Sequence, residues 1–135
     1  MATLLPTGIP ESKTYKASAS LATYQYRIVK LAAAGQAALG TAGCKCLGVL
    51  QDNDAAAGYN ASVVTRGETP VYCDGSTTAI AAGDRIMCAA NGVGVKVPTT
   101  AATKSEFLGT AMEPLTAAGT IIVDVERGVQ TTPAS

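Results

Sequence analysis

The chain has 135 residues, with ten basic side chains, ten acidic side chains, no histidine and a charged fraction of only 15%. This sparse, balanced charge argues against binding to nucleic acids or anionic membranes, which need a basic footprint, and the missing histidine removes the commonest general base. The length fits one domain, or two small units that share a core.

The first 23 residues differ in pattern from the rest. Pro6, Gly8 and Pro10 interrupt them, and their apolar periodicity is weak, which predicts an extended N-terminal arm over residues 1–23 that orders on a partner. A plain flexible terminus is the alternative. The apolar side chains of this arm are the candidates for contact with a partner: Leu4, Leu5, Ile9 and Tyr15. We find no signal-peptide pattern, and so expect synthesis in a cytoplasm.

From Tyr24 onwards the pattern predicts β structure. Residues 24–31 are rich in β-branched and aromatic side chains and form the first predicted strand. Ala34-Gly35 predicts a turn, and residues 46–50 predict a short apolar strand. Residues 59–66 alternate as a further strand, which Gly67 is expected to end.

Two hairpins follow from Gly-containing dipeptides, because such pairs supply the positive φ angles of tight turns. Asp74-Gly75 predicts a hairpin within residues 68–83. Asn91-Gly92, between strands at 85–88 and 93–97, predicts a stronger one.

The C-terminal part of the chain predicts two more strands. A short helix is possible at 99–104, and strands are predicted at 107–112 and 120–126. The tail at 129–135 reads as disordered. No segment predicts a helix of four turns, so the fold class is all-β.

An internal repeat organises these elements. At a shift of 61 positions, Leu47-Gly48 matches Leu108-Gly109, and Arg66-Gly67 matches Arg127-Gly128. Upstream, Arg27-Ile28 matches Arg85-Ile86 at a shift of 58. We therefore predict a small β-sandwich or barrel-like domain over 24–128, built from two tandem repeats of a strand–turn–strand unit. The repeat units are 24–67 and 84–128, and residues 68–83 form the connecting hairpin.

Candidate metal ligands do not form a recognisable set. The four cysteines are Cys44, Cys46, Cys73 and Cys88, and their spacing lacks the paired pattern of a zinc site, so free thiols are expected. Asp52 and Asp54 could ligate calcium, but no bidentate Glu follows at EF-hand spacing. We expect no metal and no cofactor.

The one pair of carboxylates that could carry catalysis is Asp124 and Glu126, which share a face of the last strand. A solvated strand face, with Val123 and Val125 inward, explains the same pattern without chemistry. We therefore expect no enzymatic activity, and a small hydrolase using these carboxylates is the third-ranked hypothesis.

Three stretches resemble bacteriophage capsid decoration proteins, which are also called head cement proteins. They are residues 47–52 with the strand ending at Arg66-Gly67, residues 81–86 with the Asn91-Gly92 hairpin, and residues 108–113 with the last strand. The resemblance covers about residues 24–128 and implies a β-rich fold without catalytic residues.

The resemblance also implies a function and partners. Such proteins lie on the outside of the mature phage head and stabilise it against the pressure of packaged DNA. They bind the major capsid protein and assemble with themselves as trimers or dimers, and an extended arm such as 1–23 is similar to what the family uses. A virion-associated host- or glycan-binding module is the alternative function.

Overall fold

The computed structural model describes residues 10–53, 55–98 and 103–132, and the regular secondary structure of this part of the chain is strand apart from two short 3₁₀ turns, which confirms the predicted all-β class. None of its helical turns is long and apolar enough to cross a membrane. The strands are β1 (Glu11–Lys16), β2 (Ile28–Leu31), β3 (Ala37–Leu39), β4 (Cys46–Leu50), β5 (Asn60–Asp74), β6 (Arg85–Cys88), β7 (Gly94–Lys96), β8 (Thr103–Ala111) and β9 (Ala118–Thr132). Two 3₁₀ turns span Ala33–Gly35 and Ala90–Gly92.

The first five strands pair into a closed ring, here called the N-terminal ring. β1 pairs with β5, β5 with β4, β4 with β2 and β2 with β3, all antiparallel. A parallel bridge between Ala17 and Ala37 then joins the end of β1 to β3. Inside the ring lies a core of small and branched side chains: Ala17, Leu21, Val29, Ala37, Leu47, Leu50, Ala55, Ala61 and Val63.

A second closed ring, the C-terminal ring, is formed by β5 to β9. β5 pairs with β9, β9 with β8, β8 with β6 and β6 with β7, and a parallel bridge between Cys73 and Gly94 closes it. β5 belongs to both rings. Residues 60–66 of β5 pair with β1 in the N-terminal ring, and residues 67–74 pair with β9 in the C-terminal ring.

The two rings pack against each other through side chains on the outer face of the N-terminal ring. Ile28, Val49 and Val64 belong to the same core cluster as Ile86 and Leu108 of the C-terminal ring. β4 is therefore covered on both faces, and all five of its residues are buried. This explains why β4 is a continuous apolar run and not an alternating strand.

Equivalent backbone hydrogen bonds recur in the two rings. An acidic side chain also recurs, after β4 in one ring and after β8 in the other. Asp52 Oδ2 accepts from Ser62 N (2.5 Å), and Glu113 Oε2 accepts from Ile122 N (2.8 Å). The tandem repeat of whole units stays a prediction. Three backbone bonds of the N-terminal ring have counterparts in the C-terminal ring. Arg27 N donates to Tyr24 O as Asp84 N donates to Ala81 O, and Leu50 N donates to Arg27 O as Ala111 N donates to Asp84 O. Gly40 N donates to Ile28 O as Val97 N donates to Arg85 O.

Both tight turns and β4 lie where the sequence predicts them. Ala34 and Gly35 have φ angles of 62° and 72°, and Asn91 and Gly92 have 61° and 70°. The predicted strand at 24–31 is wrong in its first half, because Tyr24 to Arg27 form a hydrogen-bonded turn in which Tyr26 has a φ of 64°.

The predicted hairpin within 68–83 is wrong, and so is the strand end at Gly67. β5 continues through Gly67 to Asp74 because residues 67–74 pair with β9. Asp74 Oδ1 instead accepts hydrogen bonds from Ser76 N (2.9 Å) and Ser76 Oγ (2.6 Å), and Gly75 N donates to Ala117 O (2.9 Å). These bonds hold residues 75–78 in a bend without a second strand.

The ends of the chain are more ordered than expected. Residues 11–16 of the predicted arm form β1 within the sheet, and β9 extends to Thr132, well into the predicted disordered tail. Residues 1–9 and 133–135 lie outside the described residues. The possible helix at 99–104 falls mostly outside them too, and its described end, 103–104, belongs to β8.

Candidate functional site

A groove of about 600 Å³ lies where the two rings meet, between β4 and β5 on one side and the β8–β9 pair on the other. We call it the Phe107 groove. It contains an aromatic ring, three cations and two carboxylates. Its lining residues are Lys45, Cys46, Thr65, Arg66, Glu106, Phe107, Glu126, Arg127, Gly128 and Val129.

The polar groups of the groove are partly held by backbone atoms. Arg127 Nη1 donates to the carbonyl oxygen of Cys46 (3.5 Å), which connects β9 to β4. Thr65 Oγ1 donates to the carbonyl oxygen of Glu11 (3.4 Å), which connects β5 to the start of β1. Within the part of the chain that the structure describes, the five charged side chains of the groove form no ion pair with one another. Their charges are available to a partner.

The Phe107 ring is fixed on both sides. Phe107 pairs directly with Gly128 on β9, and a β-carbon at Gly128 would come within 2.7 Å of the ring. The guanidinium of Arg85, which lies on β6, is 4.3 Å from the centroid of the Phe107 ring. A ring that covers a glycine and stacks on an arginine gains packing and a cation–π contact, so the Phe107 ring is supported from two strands.

Exposed apolar side chains flank this groove. Val129 lines it and is 47% exposed, and Leu31 is 57% exposed. Leu31 lines an adjoining cavity of about 360 Å³ together with Leu47 and with Arg127, which also lines the groove. The groove and these side chains therefore form one continuous surface across both rings, of the mixed apolar and charged character typical of protein interfaces.

The predicted contact residues of the arm stay predictions. Tyr15 is half-buried and packs against the core of the N-terminal ring, whereas Leu4, Leu5 and Ile9 lie outside the described residues. The point at which the arm joins the fold is well defined. A β-carbon at Gly67 would come within 2.8 Å of Pro10 Cα, so Pro10 lies beside the strand that supplies Arg66 to the groove.

The cysteines are all free thiols in this structure, and three of them lie together. The Cys46 thiol donates to the carbonyl oxygen of Cys44 (3.9 Å), and the Cys88 thiol donates to the carbonyl oxygen of Ala89 (3.1 Å). The neighbouring thiol of Cys46 and then that of Cys88 lower the pKa of Cys44, and the positive charge of Lys30 acts in the same direction. Cys73 is separate, and burial raises its pKa to about 12.

The candidate oxygen ligands do not converge. Asp52 uses its carboxylate to accept the Ser62 amide, and Asp54 lies outside the described residues. Across residues 10–53, 55–98 and 103–132, no group of three or more His, Cys, Asp and Glu side chains is arranged to hold a metal ion.

On β9, Val123 and Val125 are buried, Asp124 is half-buried and Glu126 is exposed, as a half-buried strand requires. Glu126 lines the Phe107 groove.

Sequence reasoning missed the Phe107 groove, because its residues come from a loop and four strands that are distant in the chain. One signal could have located it. The two Arg-Gly pairs of the repeat, Arg66-Gly67 and Arg127-Gly128, were interpreted only as strand ends, yet both arginines line this groove. An arginine that recurs beside a glycine at matching positions can therefore indicate a shared surface as well as a turn.

Two linked strand rings, with a groove of aromatic and charged side chains across their junction, define a small all-β protein. The family described as phage cement protein matches this chain over residues 11–127, which includes β1 and most of both rings. The chain therefore belongs to the phage cement protein family, and its place is at the capsid of the virion, where it has a stabilising role. No curated protein matches the chain.

Proposed function

We propose that the protein binds the outer surface of the assembled phage head and stabilises it against the pressure of packaged DNA, without catalysing a reaction. The observation that carries this proposal is the family match over residues 11–127, because it spans both rings and not one isolated segment. The near-zero net charge supports dense packing, since neighbouring copies would repel each other little.

The Phe107 groove and its apolar flank are the proposed capsid-binding surface. Leu31 and Val129 supply exposed apolar area, and Arg66, Arg127 and Glu126 supply unpaired charge around a fixed aromatic ring. A partner that buries such a surface gains both area and charge complementarity. The major capsid protein is the proposed partner.

The arm is proposed as a second contact. Leu4, Leu5 and Ile9 precede Pro10, which lies next to the strand that lines the groove, so arm and groove would address neighbouring parts of one partner. Tyr15 would act by holding β1 on the core and not by direct contact. Self-assembly as a closed trimer or dimer would multiply these weak contacts into high avidity. Synthesis is proposed in the cytoplasm of the bacterial host.

Co-sedimentation with phage heads that lack their cement protein tests the proposal. The full chain is compared with a variant that begins at Pro10, because a deletion up to Tyr24 would remove β1 and open the N-terminal ring. We expect saturable binding of the full chain to heads, little binding to free capsid subunits, and weaker binding of the shortened variant. Failure of the full chain to bind heads that accept their native cement would overturn the proposal.

Surface variants locate the binding face. Leu31→Lys and Val129→Lys should each weaken head binding at least about tenfold, as central interface residues do. Tyr59→Lys is the matched control, because Tyr59 is 70% exposed but does not line the groove. Equal loss with Tyr59→Lys would contradict the assignment of the face. Binding to a glycan array in the absence of heads would favour the host-binding alternative.

The stabilising role has its own readout. Filled heads are heated with and without bound protein, and released DNA is followed with an intercalating dye. We expect release at a higher temperature when the protein is bound, and the same effect with Asp124→Asn, because no catalytic carboxylate is involved. An unchanged release temperature at saturating protein would contradict stabilisation against DNA pressure.

A further inference from the structure

Three thiols from two different rings meet at one place. Cys44 lies in the loop between β3 and β4, Cys46 begins β4, and Cys88 ends β6 in the C-terminal ring. The Cys46 thiol donates to the carbonyl oxygen of Cys44 (3.9 Å), and the Cys88 thiol donates to the carbonyl oxygen of Ala89 (3.1 Å). Gly40 lies beside them, and a β-carbon at Gly40 would be 2.5 Å from Cys88 Sγ and 3.5 Å from Cys44 Sγ. The glycine leaves the two sulfurs without a side chain between them.

The backbones that carry Cys44 and Cys88 are already tied together. Gly43 N donates to the carbonyl oxygen of Cys88 (2.9 Å), and Gly92 N donates to the carbonyl oxygen of Gly40 (3.0 Å). Both bonds involve residues that precede Cys44, and they hold this part of the loop against the end of β6 and the turn that follows it. Adjacent backbones of this kind have the spacing that a disulfide bridges, so a bond would need little movement of the chain.

Of the two partners available to Cys44, Cys88 offers the better geometry. Cys44 and Cys46 are separated by one residue, and cysteines two positions apart meet disulfide geometry poorly. The Cys46 thiol hydrogen-bonds to the carbonyl oxygen of Cys44 (3.9 Å), whereas Cys88 approaches from a different strand. Cys44 is also the most accessible of the three, because it is partly exposed while Cys46 and Cys88 are buried.

We propose that Cys44 and Cys88 are a disulfide-forming pair that joins the N-terminal ring to the C-terminal ring when the protein meets a small-molecule disulfide such as oxidised glutathione. The pair provides a covalent connection between the rings in addition to β5. The inference concerns the isolated chain and does not depend on head binding.

The reaction is two successive thiol–disulfide exchanges. The Cys44 thiolate attacks one sulfur of oxidised glutathione, forms a mixed disulfide and releases one glutathione thiolate, which takes up a proton. Cys88 then loses its proton to solvent and attacks Cys44 Sγ, which expels the second glutathione thiolate. Two cysteine thiols are oxidised, and one glutathione disulfide is reduced to two thiols.

The environment of Cys44 favours its role as the first nucleophile. Thiolate character decides reactivity, and the neighbouring thiols of Cys46 and Cys88 together with the charge of Lys30 lower the pKa of Cys44. Cys88 has the opposite environment, since the neighbouring Cys44 thiol and burial both raise its pKa. The attack on the mixed disulfide is intramolecular, which compensates for a small thiolate fraction at Cys88.

Peptide mapping of the intact protein tests the proposal directly. The full chain is equilibrated with oxidised or reduced glutathione, free thiols are alkylated, and trypsin is added without reductant. Lys45 lies between Cys44 and Cys46, and every cysteine falls on its own tryptic peptide: 31–45, 46–66, 67–85 and 86–96. We expect peptides 31–45 and 86–96 to be joined after oxidation and separate after reduction.

Other linkages would overturn the proposal. Peptide 31–45 joined to 46–66, linkage only between molecules, or glutathione retained on Cys44 without a second exchange would each contradict a Cys44–Cys88 bond. Cys44→Ser and Cys88→Ser should abolish the linked peptide, whereas Cys73→Ser should retain it. If Cys88→Ser does not fold, the map of the unchanged chain still decides. Oxidation should also raise the unfolding midpoint by roughly 5–15 °C, and an unchanged or lower midpoint would contradict a bond that connects the rings.

Discussion

Paired strands approach each other closely at two buried glycines, Gly48 in β4 and Gly109 in β8. A β-carbon at Gly109 would overlap the carbonyl oxygen of Asp124 and come within 2.9 Å of Val125 Cα. At Gly48 it would overlap the carbonyl oxygen of Val64. Both obstructions are backbone atoms of a paired strand, which cannot rotate away as a flexible side chain can. Gly109→Ala should therefore destabilise the fold by forcing β8 and β9 apart.

The size of this effect follows from three terms. Overpacking of a dense core costs about 1–3 kcal/mol, and each ladder hydrogen bond weakened by the separation costs about 1 kcal/mol. Replacing a glycine within a strand returns about 0.5–1 kcal/mol, because alanine loses less backbone entropy. The net expected loss is about 2–3 kcal/mol, or roughly 10 °C in the unfolding midpoint for a domain of this size.

Urea denaturation followed by circular dichroism measures this loss. Gly119→Ala is the matched control, because a β-carbon there would meet only Leu115 Cδ1 at 3.4 Å on a flexible side chain. We expect this control to be as stable as the unchanged chain or up to about 1 kcal/mol more stable, because alanine loses less backbone entropy than glycine. A Gly109→Ala variant as stable as the control would refute the argument from close strand approach.

Three further predictions concern single side chains. Arg27 lies over the Tyr72 ring at 4.4 Å and donates to the carbonyl oxygen of Asn91 (3.0 Å), so Arg27→Ala should cost about 1–2 kcal/mol in urea denaturation; an unchanged midpoint would contradict this. Iodoacetamide at pH 8 should label Cys73 at least about tenfold more slowly than Cys44, because burial raises the pKa of Cys73 to about 12; equal rates would show that Cys73 is accessible. The Ser76 hydroxyl and amide lower the pKa of Asp74 below 3.8, so its stabilisation is present above that pH and lost as the pH falls through the lowered folded-state value. The difference in unfolding midpoint between the unchanged chain and Asp74→Asn should therefore shrink in acid, and a constant difference would contradict the assignment.

Local signals predicted the parts of the fold that local chemistry decides. Asn91-Gly92 and Ala34-Gly35 adopt the positive φ angles that the sequence indicated. Tyr26 also has a positive φ, which no propensity predicts for a tyrosine. Its turn is held by long-range bonds, because Tyr26 N donates to Leu50 O (2.7 Å) and Tyr72 N donates to Tyr26 O (2.8 Å). Bonds to residues distant in sequence decided this conformation.

The length of β5 could not be predicted from the sequence either, because its second half is held by pairing with the distant strand β9. Gly67 is expected to end the strand, yet the strand passes through Gly67 and through Pro70, which pairs with Ile122. The recurring hydrogen bonds place Arg27 opposite Asp84, a shift of 57, whereas the matching side chains Arg27 and Arg85 lie 58 positions apart.

The sharing of β5 between the two rings has a mechanical consequence. The fifteen residues of β5 would span at most about 50 Å if fully extended, and they run from one ring into the other without an intervening loop. A load applied to one ring therefore passes to the other through the covalent backbone of β5, whose ladder partner changes from β1 to β9 at Gly67. Gly67 has a φ of 98° and departs from the extended conformation, so bending between the rings would concentrate at this residue.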